Sequence, residues 1–405
     1  MADNIRTALP PIPSAPAEDS TLDVRPRQRP PFFDPARDAY IVTRHEDVTA
    51  MLRDPRVSIE TVTDVFGADG SFDFEAVNAV ISGFPLTVNG PLHETTRKWA
   101  VQALKTMAPA FSAESVAAET RALCRAHPAG VPFDALTTLC DMLPVHLLGR
   151  GVGLPPAVIA RIAATGGRLF RAVYSGSGRR GLTQRGLDQY NAAADRVIAD
   201  TIAALEEAGG SPVISLDQVR AREGTPAGTF DPLMAFIFVI AAGTETSENG
   251  LANALSIGLT DENARRVFSA ESAPGRHATA ELIRLSTSLS FSKSRIANAA
   301  IAGEGWTIPA GARIILILEQ ANFDPAVYPA PNVFCPAAGR ATSVSFGGGP
   351  HRCTGAAIAT TMITSFLRVT LGEENIMLDH ADFEREPYLL LRRPRSLMVT
   401  RNSDE

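Results

Sequence analysis

The run Phe346-Gly-Gly-Gly-Pro-His-Arg-Cys353-Thr-Gly355 leads into a predicted helix at about Ala356. Three consecutive glycines and a proline force a tight backbone path. Cys353 then stands just ahead of a helix N-terminus, where free N–H groups and the helix dipole favour a thiolate. A thiolate held by backbone donors, with Phe346 seven residues earlier, suits the single axial ligand of a haem iron. The plainer alternative is a glycine-rich turn holding a buried cysteine. A second group lies at Ala241-Ala-Gly243-Thr-Glu245-Thr246, in the middle of an apolar helix predicted over Phe236 to Leu255. Gly243 costs about 1 kcal/mol relative to alanine in a helix interior. An opened groove beside Ala242 and Gly243, where a ligand or water meets the backbone, would account for it. Glu245 and Thr246 would set a carboxylate and a hydroxyl at that opening, a pair suited to relaying protons; the alternative is a buried helix with a solvated polar end. Two further pairs are weaker by themselves. Glu281 and Arg284 stand at i and i+3, as in ordinary salt bridges, and His93 and Arg97 share a helical face at i and i+4.

The elements that must position these groups are mostly helical. Apolar residues recur at three and four over 95–107, 113–126, 133–149, 156–174, 184–207, 231–257 and 276–287. A short strand is expected at Ala39–Thr43, followed by a helix from about His45 to Arg53 that Asp54-Pro55 closes. Residues 58–90 show no clear period and read as irregular or partly helical. Arg295 to Leu318 alternates like β-structure around a turn at Pro309-Ala-Gly311. A long Pro- and Gly-rich coil over 322–350 leads to the cysteine loop, and coils of that length tend to be functional. A helix over about 355–370 and a strand-like tail over 377–400 complete the chain. The expectation is a mainly α protein with a minor β part (α+β).

Composition narrows the function classes. The chain has 405 residues, 45% hydrophobic and 20% charged, with a formal net charge of −6. That excludes a strongly basic nucleic-acid binder. Length alone suggests two or three domains, yet neither a repeat nor a linker breaks the pattern. One domain over 32–405 is therefore expected behind a disordered leader over 1–31. The longest apolar stretch, Leu233 to Ala242, is about half of the ~20 residues that span a bilayer. The start of the chain is acidic and proline-bearing, unlike a signal peptide, so a soluble, cytoplasmic protein is expected. Cys124, Cys140, Cys335 and Cys353 form no metal or disulfide spacing, which leaves one chemical thiol and three packing ones.

The cysteine loop resembles the haem-binding signature of the cytochrome P-450 superfamily, F-G-x-G-x-H-x-C-x-G, with Phe346, Gly347, Gly349, His351, Cys353 and Gly355 at every fixed position. The resemblance spans about residues 38 to 400. It implies a cytochrome P-450 fold with haem b between the long distal helix and the loop, Cys353 as the iron ligand, and His351, His93, Arg97 and Arg295 on the haem propionates. It makes Glu245–Thr246 the acid–alcohol pair of oxygen activation and Glu281–Arg284 the structural E-x-x-R element. It further implies a soluble bacterial-type monooxygenase acting with dioxygen on a small apolar substrate. The electrons would come from NAD(P)H through a separate ferredoxin and its reductase, or a flavodoxin, docking at Arg352, Arg97 and Lys105. Phe84, Leu86, Val88, Phe170, Val239 and Ala242 are the substrate-pocket candidates, and a monomer without nucleic-acid or membrane partners is expected. Coupling, nitration or desaturation, or a non-catalytic haem sensor, are the alternative outcomes.

Departures from the family pattern are expected to alter the salt-bridge network. Asn89-Gly90-Pro91 stands where an acidic residue is common, and Ser286-Thr287 where proline is frequent. Phe323 replaces arginine in Ala321-Asn-Phe-Asp-Pro325. Cys335 occupies a usually acidic site, and no arginine stands at the usual spacing there, with Arg340 as a shifted substitute.

Overall fold

A computed structural model describes residues 29–61, 64, 75–174, 184–222, 229–270, 272, 274–336, 342–385, 391 and 393–402, with the side chains of 170–174, 184–185 and 384–385 outside that description. Most of the expected leader therefore lies outside it. Arg29 already packs its guanidinium over the Phe32 ring, 3.2 Å from the centroid.

One sheet has the order β1 (Phe32–Asp34), β2 (Ala39–Val42), β8 (Arg313–Leu316), β5 (Arg295–Ala297), β3 (Val57–Ile59). Its β2–β8 pair is parallel and its other pairs antiparallel. The hairpin β6 (Ile301–Gly303) and β7 (Trp306–Ile308) stands beside it, and β9 (Ile376–Arg385) pairs with β10 (Pro394–Arg401), which also takes β4 (Phe133–Asp134). The helices are α1 (His45–Met51), α2 (Glu75–Ile81), α3 (Gly90–Met107), α4 (Ala113–Arg125), α5 (Met142–Val152), α6 (Pro156–Tyr174), α7 (Gln184–Glu207), α8 (Leu216–Arg220), α9 (Pro232–Thr260), α10 (Glu262–Ser269), α11 (Arg276–Leu285), α12 (Leu318–Asn322) and α13 (Ala356–Leu367). The core is one large apolar cluster among the helices and a smaller one against the first sheet. Among the described residues no single helix is long and apolar enough to cross a membrane.

Helix α9 is the spine. Asp231 caps it, its carboxylate accepting from the Leu233 amide at 2.9 Å, and Pro232 occupies the first turn, where a missing N–H costs nothing. Leu233 through Ala241 are all buried, so the stretch is a core segment. It packs on α3, α5, α6, α11 and α13.

Several boundaries differ from expectation. The helix expected over 133–149 is broken into β4, a wide turn over Leu136–Cys140 and α5. Pro144 lacks the N–H that a continuous helix would bond to Cys140, so it is tolerated only in the first turn of a new one. Phe133 and Asp134 are drawn into pairing with β10. Helix α3 starts at Gly90 and not near 95: Asn89 is its extended N-cap and Pro91 fits its first turn. The irregular 58–90 stretch holds the short helix α2, and α8, α10 and α12 are likewise short elements that carry too few turns for periodicity to show. The helix expected over 355–370 ends at Leu367 and passes into a wide turn over Arg368–Glu373.

Candidate active site

The cysteine loop is built on two glycines in the left-handed region. Gly347 and Gly349 both have φ +64, and a Cβ on Gly349 would run into the Leu52 carbonyl oxygen. Only glycine fits there at low cost. The Cys353 amide donates to the Phe346 carbonyl at 2.9 Å and closes the loop before α13 begins at Ala356. Phe346 is half-buried and packs on the main core.

Cys353 is reachable by solvent, yet protein surrounds its thiol on most sides. Burial is the largest influence and pushes the thiol up; the Gly355 and Ala356 amides and the Arg352 and Arg97 guanidiniums pull it down. The amide donors expected at the helix N-terminus are present, and desolvation opposes them.

Beside the loop four basic side chains from three segments converge. His93 and Arg97 come from α3, Arg295 from β5, and His351 from the loop. The His93 and His351 rings lie 4.1 Å apart at 40°. Burial is the largest influence on both imidazoles, followed by Arg97 for His93 and by His93 and Arg295 for His351: His93 is shifted down, and His351 down to about 3. His93 Nε2 and His351 Nδ1 are buried without a hydrogen-bond partner, and the His351 ring also meets the Pro85 carbonyl. Arg97 donates to the Arg352 carbonyl at 2.8 Å. It is half-buried and lines a cleft that also carries Lys98 and Lys105. Two buried unmet imidazole nitrogens beside two guanidiniums and a thiol suit a dianionic ligand whose metal meets the sulfur. The residues fit haem.

Asn89 accounts for this convergence, and sequence reasoning registered it only as a departure. Its Oδ1 accepts from the Ile59 amide at 3.0 Å and its Nδ2 donates to the Ile59 carbonyl at 2.9 Å. Ile59 is the register partner of Arg295. One side chain thus fixes the start of α3, with His93 and Arg97, against the strand that carries Arg295. The only signal available in the sequence was an asparagine ahead of Gly-Pro.

On α9, the Thr246 hydroxyl donates to the Ala242 carbonyl at 2.6 Å and Asn249 Nδ2 donates to the Glu245 carbonyl at 2.6 Å. Glu245 and Thr246 are half-buried. A Cβ added at Gly243 would meet Leu148 of α5 at 3.6 Å, an ordinary contact, so packing by itself does not demand glycine there. The helix spacing puts Val239 and Ala242 on the face that carries Thr246. Val239 is buried, as are Phe84 and Val88, while Leu86 and Ala242 are half-buried. Phe84 packs on Phe238 with ring centroids 5.0 Å apart. The Phe170 side chain lies outside the described residues.

Glu281 and Arg284 form a buried, two-pronged pair at 2.8 and 2.9 Å. Arg284 also donates to the Asn322 and Pro331 carbonyls and lies 4.6 Å over the Tyr328 ring and 5.4 Å from the Phe323 ring centroid. Val333 is half exposed, Arg340 lies outside the described residues, and the Cys335 amide donates to Glu281 at 3.2 Å. Among the described residues, main-chain groups of residues 322, 331 and 335 thus join the network around this pair. Asn322 carries it onward: its Nδ2 donates to Thr287 and Ser345, and its Oδ1 accepts from the Val344 amide, two residues before Phe346. Cys124 and Cys140 are buried, with burial pushing the first thiol up to about 12 and the second well above its ordinary value. They pack, as expected.

Comparison with known proteins agrees with this geometry. A family model described as Cytochrome P450 matches residues 277–399. Nocardicin C N-oxygenase of Nocardia uniformis subsp. tsuyamanensis is 26% identical, over 86% of this chain and 88% of that protein. Epothilone C/D epoxidase of Sorangium cellulosum is 23% identical, over 83% of this chain and 81% of that one. Among solved structures, epothilone B-bound cytochrome P450epoK superposes with a TM-score of 0.73 at 20% identity, covering 98% of this chain and 100% of that one.

Proposed function

We propose that the chain is a cytochrome P450 monooxygenase that uses haem and dioxygen, a reading supported by its likeness to the proteins above, and that its residues take the following roles. Cys353 ligates the haem iron. His93, Arg97, Arg295 and His351 hold the two propionates, the imidazoles as neutral donors and the guanidiniums as charged ones. Haem supplies the reductive activation of dioxygen. Thr246 and Glu245 hold and pass protons at the distal face: the hydroxyl is kept by the Ala242 carbonyl until it turns outward, and the carboxyl recharges it. Phe84, Leu86, Val88, Val239 and Ala242 line a pocket that excludes water and takes a small, largely apolar organic molecule, which is hydroxylated. Residues from 32 onward act as one domain around one cofactor.

Electrons come from NAD(P)H through a ferredoxin and its reductase. A concavity of about 1030 Å³ on the thiolate side is lined by Arg53, Arg276, Arg352 and Arg368, and an adjoining cleft of about 830 Å³ carries Lys98 and Lys105. Those charges suit an acidic partner.

The observation that carries the reading is the pair of unmet imidazole nitrogens grouped with Arg97, Arg295 and Cys353. The test is haem retention. Arg295→Leu and His93→Leu should fold with normal far-ultraviolet circular dichroism but lose bound haem on gel filtration, the double variant most. Full retention in the double variant would refute the assignment.

A further inference from the structure

Arg295 is buried, and in the sheet it lies between its register partners Ile59 of β3 and Ile314 of β8. Residues paired in this way share a face, so the chain neighbours Glu60 and Arg313 fall on the opposite one. The ladder runs on past Ile59, the Glu60 amide donating to the Ser294 carbonyl at 3.0 Å. Glu60 is 4% exposed. One of its carboxylate oxygens lies 2.7 Å from Arg313 Nε. The other lies 3.5 Å from Lys293 Nζ and accepts from the Ser294 hydroxyl, to which the Lys293 amine donates at 3.4 Å. Lys293 and Ser294 are buried as well.

One carboxylate therefore ties the two residues ahead of Arg295 to the neighbouring strand. Glu60 also follows Ile59, whose amide and carbonyl are both held by Asn89 at the start of α3. Asn89 fixes β3 to the helix that bears His93 and Arg97, and Glu60 fixes the Arg295 segment to β3. Buried ion pairs add little net stability, and their best-attested use is to set register. Three partners drawn to one carboxylate are met together in a single strand register, which apolar packing would specify less sharply. We propose that Glu60 is the positioning residue for Arg295: held by Arg313, Lys293 and Ser294, it aims the Arg295 guanidinium at the haem propionate from the far face of the sheet. This rests on the propionate reading given above and adds to it a residue outside the propionate cluster.

The test is a double-variant cycle on the haem-loaded enzyme, with haem loss timed by transfer to excess apomyoglobin. Glu60→Gln should release haem ~10-fold faster than the native enzyme, and Glu60→Asp, which keeps the charge, should recover part of the difference. In the Arg295→Leu background Glu60→Gln should add little, because the group it positions is gone. Ser294→Ala removes one donor to Glu60 without changing any charge, and it carries the test where Glu60→Gln does not fold. It should lower the haem reduction potential, since a guanidinium leaving the propionate withdraws positive charge from the reduced haem. Native-like haem retention in Glu60→Gln, an equal acceleration in the presence and absence of Arg295, or an unchanged potential in Ser294→Ala would overturn the positioning role. An Arg295→Leu enzyme that keeps haem as firmly as the native one would instead strike the propionate reading beneath it, and the positioning role with it.

Discussion

The thiol of Cys353 is pulled two ways, up by desolvation and down by two amides and two guanidiniums. Such a site holds a thiolate firmly only when a metal shares the charge. At the same scale Thr246 is held by the Ala242 carbonyl, so its hydroxyl can release and retake one bond without moving the helix. Thr246→Ala removes the proton carrier and leaves the fold intact. Product formed per NAD(P)H consumed should fall ~10-fold or more, with reductant consumption continuing, as measured by paired product and cofactor assays. Unchanged coupling would remove Thr246 from the proton path. The cysteine loop before α13 and the polar run Thr244–Thr246 within α9 stand out in the sequence through residue type and spacing, and the structure puts each at that place in its element. The buried Lys293–Glu60 pair does not stand out: an isolated lysine among serines carries no such signal, and only the β3–β5 pairing brings Glu60, 233 positions earlier in the chain, to it.

Elements do the positioning. Asn89 binds both backbone groups of Ile59 and so locks α3 to the strand pair that holds Arg295. Asn322 links the α11 pair to the residues that enter the cysteine loop. Long helices such as α9 and α13 could be read from periodicity, and the coil before the loop from its prolines and glycines. The break at Leu136–Cys140, the early start of α3 and the short helices could not, since they depend on tertiary pairing or on one turn of chain. The contacts of the Glu281–Arg284 pair with the Cys335 amide and the Asn322 and Pro331 carbonyls are a matter of backbone path, which residue types do not show. Arg284→Ala removes the two-pronged guanidinium contact of the buried Glu281 carboxylate. It should destabilise the protein by about 3–5 kcal/mol in chemical denaturation. Lysine at 284 should not restore it, since a point charge does not reproduce the two-pronged contact. A loss under about 1 kcal/mol would make the pair incidental.

At the scale of the whole molecule, the fold wraps one mixed sheet and a helical body around the junction of α3, α9 and the cysteine loop. The thiolate side carries a basic concavity, although the chain as a whole has a net charge of −6. Electrostatic steering by such a patch acts mainly on association. Reversing Arg352 and Lys105 to glutamate should slow ferredoxin-driven reduction ~10-fold at low salt, an effect that high salt should shrink. An unchanged rate in stopped-flow would place the electron entry elsewhere. The central claim, that Cys353 ligates a haem iron, is tested most directly by the absorption spectrum of the reduced, carbon-monoxide-bound protein. The native protein should show the strongly red-shifted Soret band of thiolate ligation, and Cys353→His should bind haem without that band. A native spectrum with an unshifted, imidazole-like Soret band, or a red-shifted band that survives in Cys353→His, would contradict it.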